Sequence, residues 1–213
     1  MGVPGGRPVR ALTLRPPLTL EGRYVRLVPL SLEHRGALAE AGADPEVGRY
    51  LLNGPGASLA DMDRLIALLL ERQAAGTDLA FATLTASDGR PVGMTRFLHI
   101  DREDRNAEVG GTWLARRLWR TPCNTEAKYL LLRHAFEVEG AHRIYLQTDL
   151  RNERSRRAIE RLGALQEAIL REDRRLADGS FRTSVYYGIL DREWPTVKRG
   201  LEEKLARPWT GPV

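Results

Sequence analysis

A chain of 213 residues is the length of a single globular domain with tails, at roughly 100 to 200 residues per domain. With 42% hydrophobic, 29% charged and 7% aromatic residues it can bury a full core, which excludes wholesale disorder. The net charge is +5, and only 3 of the 33 basic residues are lysines. Arginine's planar fork grips phosphates and carboxylates as lysine's point charge does not. Two local clusters, Arg116, Arg117 and Arg120, then Arg151, Arg154, Arg156, Arg157 and Arg161, therefore suggest a compact polyanionic ligand. No apolar run approaches the ~18 residues of a membrane span, and residues 1–17, rich in Gly, Pro and Arg, lack the apolar heart of a signal peptide. A flexible tail, a cytoplasmic location and no membrane partner are the expectation. A lone cysteine, Cys123, has no disulfide partner and no companions for a structural metal site, so no metal is expected.

Residues 18–30 alternate as a strand pair turning at Glu21-Gly22, with Val25, Leu27 and Leu30 as core candidates. A short helix is predicted over 32–41. Ser58 and Asp61 form a capping-box pattern that opens a longer helix to about residue 74, with Met62, Leu65, Ile66, Leu69 and Leu70 as its apolar stripe. Residues 78–85 and 92–100 read as an antiparallel hairpin turning through Ser87-Asp88-Gly89-Arg90. A strand over 107–114 carries Gly110-Gly111, the mark of a bulge or of a close approach to the backbone. The next helix starts at Pro122 behind a Thr121 cap and ends near Gly140. Its apolar residues lie on more than one side. A strand over 143–150, a helix over 152–162 stopped by Gly163, a hairpin over 169–190 turning at Asp178-Gly179 and a helix over 194–206 complete the domain, which spans 18–206 with a tail at 207–213. A helix joining the strands at 107–114 and 143–150 makes them parallel neighbours by the right-handed crossover rule, and ligands gather at the carboxyl ends of such strands.

The chemistry is concentrated at two turns. Residues 113–127 run from a strand through an arginine-rich turn into a buried helix, whose free N–H groups and dipole, equivalent to about +0.5 charge, suit a phosphate. A solvated basic helix start fits the same residues equally well. Residues 149–164 place Asn152 and Ser155 where the parallel strand ends.

Asn124-Thr-Glu-Ala-Lys128 with His134-Ala-Phe-Glu137, Arg151-Asn-Glu-Arg-Ser155 with Arg161-Leu-Gly-Ala164, and Asp178-Gly179 followed by Glu193-Trp-Pro195 together resemble the GNAT superfamily of acyl-CoA-dependent N-acyltransferases, in particular the RimJ/RimL-type ribosomal-protein N-terminal acetyltransferases. The resemblance runs from residue 18 to about 194. It implies a mixed α/β fold: a central, mostly antiparallel sheet with one splayed parallel strand pair and helices on both faces. The cofactor would be acetyl-CoA, and the substrate amine would attack the thioester directly, without an acyl-enzyme, so Cys123 is not a nucleophile. Thr112, Trp113 and Leu114 would pair with the pantetheine arm, accounting for the double glycine beside them. Arg117, Arg120, Thr121, Cys123, Asn124 and Thr125 would surround the diphosphate. The family's loop reads Gln/Arg-x-x-Gly-x-Gly/Ala. Arg117 matches its first position, while Arg120 and Pro122 replace the small residues, losing an amide donor and gaining a cation. Asn152 resembles the residue that hydrogen-bonds near the thiol, and Ser155 the one that protonates the leaving thiolate. As an alternative, both simply cap their helix. Glu108 is the candidate general base, with Glu126 second, and His99, His134 and His142 are read as packing or surface residues.

An α-amine of pKa about 8 is partly neutral near pH 7.5, whereas a lysine near 10.4 is neutral only at about the 0.1% level, a difference worth about 3.5 kcal/mol. The expected acceptor is therefore an α-amine such as a protein N-terminus. A small-molecule amine and a non-catalytic CoA-binding role are the alternatives, the second suggested by Arg120 and Pro122. A nucleic-acid partner is not expected, because aromatics are not interleaved with the basic residues across a sheet face. Relatives of this type commonly form homodimers.

Overall fold

The computed structural model describes residues 11–56, 58–176, 179–211 and 213. Strands β1 (Leu20–Glu21) and β2 (Val25–Pro29) pair across the expected turn, and β2 lies antiparallel to β3 (Leu79–Thr85). Between them come α1 (Arg35–Ala41), α2 (Pro45–Gly48) and α3 (Leu59–Ala74). The capping box at the start of α3 is formed, with Ser58 and Asp61 satisfying each other's backbone N–H groups. Strand β4 (Pro91–Asp101) completes the hairpin with β3 and pairs with β5 (Asn106–Leu114). Helix α4 (Cys123–Arg133), prolonged by a wide π turn over His134–Val138, crosses to β6 (Arg143–Asp149). Then follow α5 (Glu153–Leu162), β7 (Leu165–Arg175), β8 (Phe181–Leu190) and α6 (Trp194–Ala206). The turn expected at Asp178-Gly179 falls partly outside the described residues, because Asp178 does.

These strands form one eight-stranded sheet in the order β1-β2-β3-β4-β5-β6-β8-β7. All neighbours are antiparallel except β5 and β6, which pair in parallel only over Asn106↔Arg143, Ala107↔Ile144 and Glu108↔Tyr145 before separating. One face packs Val25, Leu27, Phe81, Phe97 and Val109 against Ala127, Leu130 and Leu131 of α4. The other packs Ala80, Ala82, Met94 and Trp113 against Leu38 of α1 and Met62, Leu65, Ile66 and Leu69 of α3. Parallel pairing stops at Glu108↔Tyr145, so the two strands part just beyond Glu108.

The core begins before residue 18. Leu12 and Leu14 are buried, and the Leu12 N–H donates to the Arg102 carbonyl, so the tail expected through residue 17 is tied down in its last part. Strand β7 starts four residues before the expected hairpin, and the four-residue α2 was not anticipated. Among the described residues, no helix is long and apolar enough to cross a membrane.

Candidate active site

Separation of β5 from β6 opens a cleft of about 870 Å³. One wall is the unpaired edge of β5, the other the end of β6 and the start of α5, and α4 lies along the floor. Thr112, Trp113, Leu114, Arg120, Thr121, Asn124, Thr125, Asn152, Ser155 and Glu108 all line it. Of the residues expected there, Arg117 and Cys123 are not among the lining residues: Arg117 is exposed and Cys123 fully buried in the core. A lowered thiol pKa would be expected for a cysteine in the first turn of a helix. Burial instead pushes the Cys123 thiol up, outweighing the hydrogen bond with Thr121 that favours the thiolate.

At the narrow end, Glu108 is 3% exposed. Its Oε2 accepts from Gln147 Nε2 at 2.7 Å and lies 3.1 Å from His99 Nδ1. These contacts hold the carboxylate at the point where the strands diverge. His99, expected as a packing or surface residue, therefore touches the candidate base. The double glycine also has a different tenant from the pantetheine arm inferred from sequence. A Cβ on Gly110 would stand 2.4 Å from Glu108 Oε1, and one on Gly111, at φ +56°, would stand 2.7 Å from Arg96 Nε. The protein's own carboxylate and guanidinium fill that space.

Glu126 proves to be a structural pin rather than a base. Its carboxylate accepts the backbone N–H groups of Arg23, Tyr24 and Val25 at 2.8, 2.6 and 2.8 Å, fixing the β1–β2 turn to α4. Lys128 closes the Asn124–Lys128 motif without an assigned role, yet it is 5% exposed, lines the cleft floor and donates to Thr112 Oγ1 at 2.5 Å. Burial drives its pKa down to about 7, against the smaller opposing pull of Glu108.

At the wide end, Thr121 Oγ1 accepts the Cys123 N–H at 3.3 Å and the Glu126 N–H bonds back to the Pro122 carbonyl. Among the described residues, the intervening amides of Asn124 and Thr125 have no such backbone acceptor, and both residues line the cleft at the positive end of α4. Across the mouth, the Arg154 guanidinium lies 3.4 Å from the centroid of the Trp119 ring, joining α5 to the loop after β5. Asn152 caps α5 with its Oδ1 on the Ser155 N–H at 3.1 Å, and both residues also line the cleft. The two readings of this pair are thus geometrically compatible. Among the described residues the Ser155 hydroxyl has no protein partner, so it is available to a ligand.

Comparison with known proteins bears on this geometry directly. A family model described as an acetyltransferase (GNAT) domain matches residues 25–165, the stretch that builds both walls and the floor of the cleft. The chain belongs to the GNAT acetyltransferases. It is 35% identical over 107 residues to YdaF of Bacillus subtilis, which carries the name of a ribosomal N-acetyltransferase. That match spans 50% of this chain and 57% of YdaF. A protein of T. thermophilus described as an acetyltransferase superposes with a TM-score of 0.81 at 43% identity, over 89% of this chain and 97% of that one. RimJ of Mycobacterium smegmatis, solved with CoA-disulfide, shares the fold at 20% identity, with a TM-score of 0.78 over 91% of this chain and 97% of its own.

GNAT enzymes take acetyl-CoA, and the loop after β5 carries Arg120 and Pro122 where the sequence comparison expected small residues. Arg120 nevertheless holds φ at +65°, the left-handed conformation that glycine adopts without cost. The strain of that conformation is borne by an arginine, at about 1 kcal/mol. Replacing Arg120 by glycine is accordingly expected to raise the denaturation midpoint by about 1 kcal/mol of stability. The same change should weaken CoA binding several-fold by removing an exposed guanidinium from the loop. Paired denaturant titration and calorimetric CoA binding would check both, and a loss of stability would contradict the strain argument.

Proposed function

We propose that this GNAT transfers the acetyl group of acetyl-CoA to an α-amine, such as a protein N-terminus, by direct attack of the amine. The observation that carries the reading is the placement of the buried Glu108 carboxylate at the closed end of a cleft whose open end offers two free helix amides and an arginine. The fit to acetyl-CoA rests on that donor set and on the β5 edge from Val109 to Leu114, which lacks a β6 partner and can pair with amides of an extended arm. The amides of Asn124 and Thr125, with Arg120, would hold the diphosphate. Acetyl-CoA supplies an activated acyl thioester.

The chain's own residues do the rest. Glu108, oriented by Gln147 and His99, takes the proton of the attacking amine, directly or through a water. Ser155, at the start of α5, gives its hydroxyl proton to the departing thiolate, and Asn152 fixes that first turn. An α-amine of pKa about 8 needs little help from such a base, whereas lysine would require about 3.5 kcal/mol more. The names carried by YdaF and RimJ support a protein N-terminus as acceptor. A small amine remains the second reading, favoured by the closing of the β5–β6 pairing at Glu108 itself.

Thiol release from acetyl-CoA, measured against peptides with free N-termini and against small amines, tests the proposal. Glu108→Gln is expected to lower kcat about 100-fold and Ser155→Ala about tenfold. Both should leave CoA affinity within about twofold, since Glu108 lies at the other end of the cleft from the free α4 amides and Ser155 contributes one neutral hydroxyl. No acetyl-CoA-dependent thiol release with any amine would overturn the reading, and equal losses in binding and turnover would make Ser155 structural.

A further inference from the structure

The Glu108 end of the cleft carries a second set of groups that amine deprotonation does not use. Arg96 of β4 and Arg182 of β8 approach it from strands on opposite sides of the gap, and both line the cleft. They are 7% and 5% exposed, and neither Nε has an acceptor. Glu108 is the counter-charge that lines the cleft with them, one carboxylate shared between two guanidiniums, and the other carboxylates near them lie outside its lining. Asp78 lies 3.1 Å from Arg96 Nη1, while Asp149, bound by Arg151 through both oxygens, and Asp173 are near Arg182. Among the described residues, the protein acceptor for Arg182 facing this end is Gln147 Oε1, at a weak 3.4 Å. A buried guanidinium N–H without an acceptor is unfavourable, and a ligand oxygen would remove that cost. Desolvation is the main influence on both groups and opposes their charged forms.

The donor's diphosphate cannot be the ligand that satisfies them. From Glu108 to Leu114, beside the start of α4, is six residues of strand, about 20 Å. Two guanidiniums share the single Glu108 carboxylate in the cleft, so a second anion at this end would come from the acceptor. Its distance from the amine is also constrained: Gln147 accepts from Arg182 through one atom of its carboxamide and donates to Glu108 through the other. One amide group therefore separates the candidate base from the guanidinium. An acceptor that gives its amine proton to Glu108 and its anion to Arg182 carries the two within a few bonds of each other.

We propose that Arg96 and Arg182 form a carboxylate-binding subsite beside Glu108, which selects acceptors bearing a carboxylate a few bonds from the reacting amine. This rests on the reading of the chain as an amine acetyltransferase and specifies its substrate class. Arginine suits the task because its planar fork matches a carboxylate in two parallel hydrogen bonds. Two sources share the chemistry: a free amino acid, through its α-carboxylate, and a polypeptide beginning with Asp or Glu, through its side chain.

Matched pairs separate these sources and test the subsite. Peptides starting with Asp are compared with the same peptides starting with Asn, and free alanine with alaninamide, each in acetyl-CoA-dependent thiol release and in calorimetric binding to the CoA-saturated protein. The carboxylate member of at least one pair is expected to bind at least tenfold more tightly. Arg182→Gln should reduce that preference to within about twofold while leaving CoA affinity unchanged, and Arg182→Lys should restore part of it. Should Arg182→Gln fail to fold, Arg96→Lys, which keeps the charge opposite Asp78 but not the fork, is expected to cut the preference several-fold. Carboxylate preference in binding without any turnover would support the subsite and overturn the acetyl-transfer reading. Equal binding within both pairs, or binding of neither member, would overturn the subsite even if neutral amines are acetylated.

Discussion

Glu126→Ala is expected to destabilise the protein by about 4 kcal/mol, lowering the midpoint of urea unfolding without changing its slope. The reason is arithmetic on buried donors. One carboxylate, 6% exposed, accepts three consecutive N–H groups from Arg23, Tyr24 and Val25, and its removal orphans all three at about 1–3 kcal/mol each, with partial rescue by any water that enters. The turn has been shaped around that carboxylate: a Cβ on Gly22 would lie 2.4 Å from Glu126 Cδ. Glu126→Gln should fall between, since its carboxamide keeps one acceptor oxygen but turns an NH₂ toward N–H groups. Because the pinned turn opens the sheet at β1 and β2, the loss should appear in global unfolding, while the residual folded enzyme keeps its CoA affinity. A destabilisation below about 1 kcal/mol would mean that the three N–H groups have other partners. A selective loss of turnover with full stability would instead return Glu126 to the candidate bases.

The framework of this site was legible where a local rule acts alone. The Ser58–Asp61 capping box, the β3–β4 hairpin, the Gly163 stop and the helical crossover that forces β5 and β6 to be parallel each follow from a few neighbouring residues. Helix α2 was legible in principle, since Asp44 caps the Glu46 N–H and Pro45 stands at the first helical position, but four residues give no period to detect. Strand β7 hid its first residues because it is an edge strand: Leu165, Ile169 and Leu170 are exposed, so no alternation of buried and exposed residues marks it. Leu12 and Leu14 were masked by the Gly, Pro and Arg around them.

The site divides along the same line. Asn152 and Ser155 stood out in the sequence because three residues carry both the cap and the cleft lining, and Glu108 because it lies on the strand that leads into the arginine-rich turn. Gln147, His99, Arg96 and Arg182 sit on β6, β4, β4 and β8, and only the register of those strands brings them to one carboxylate. The space left by two glycines misled in an informative way. The pair Gly110-Gly111 correctly signalled close approach, but a sequence cannot say whether a ligand or the protein's own side chain does the approaching.

Lys128→Met is expected to stabilise the protein by about 4 kcal/mol at pH 7, with the gain shrinking toward pH 10. In the folded chain burial holds the amine's pKa at about 7, well below its ordinary 10.5. Between those values the unfolded chain binds a proton that the folded chain does not, so wild-type stability rises with pH, by about 1.4 kcal/mol per unit. Below pH 7 both states are protonated and the full penalty persists, whereas above about 10.5 both are neutral and it vanishes. Methionine keeps the unbranched apolar stem and removes the titrating group, and Thr112 retains Thr95 Oγ1 at 2.8 Å as a partner. Urea midpoints for both proteins at pH 7, 8.5 and 10 read out the difference directly. A constant offset across that range would show that the lysine's charge is not what burial opposes, and a destabilised variant at every pH would place the Thr112 hydrogen bond above desolvation. Evolution rarely keeps so costly a group where packing alone is served, and its position on the cleft floor, one hydroxyl away from the unpaired β5 edge, makes kcat of the stabilised variant the second measurement. A lowered kcat with unchanged CoA affinity would tie the stability cost to turnover, and an unchanged kcat would leave Lys128 a matter of stability alone.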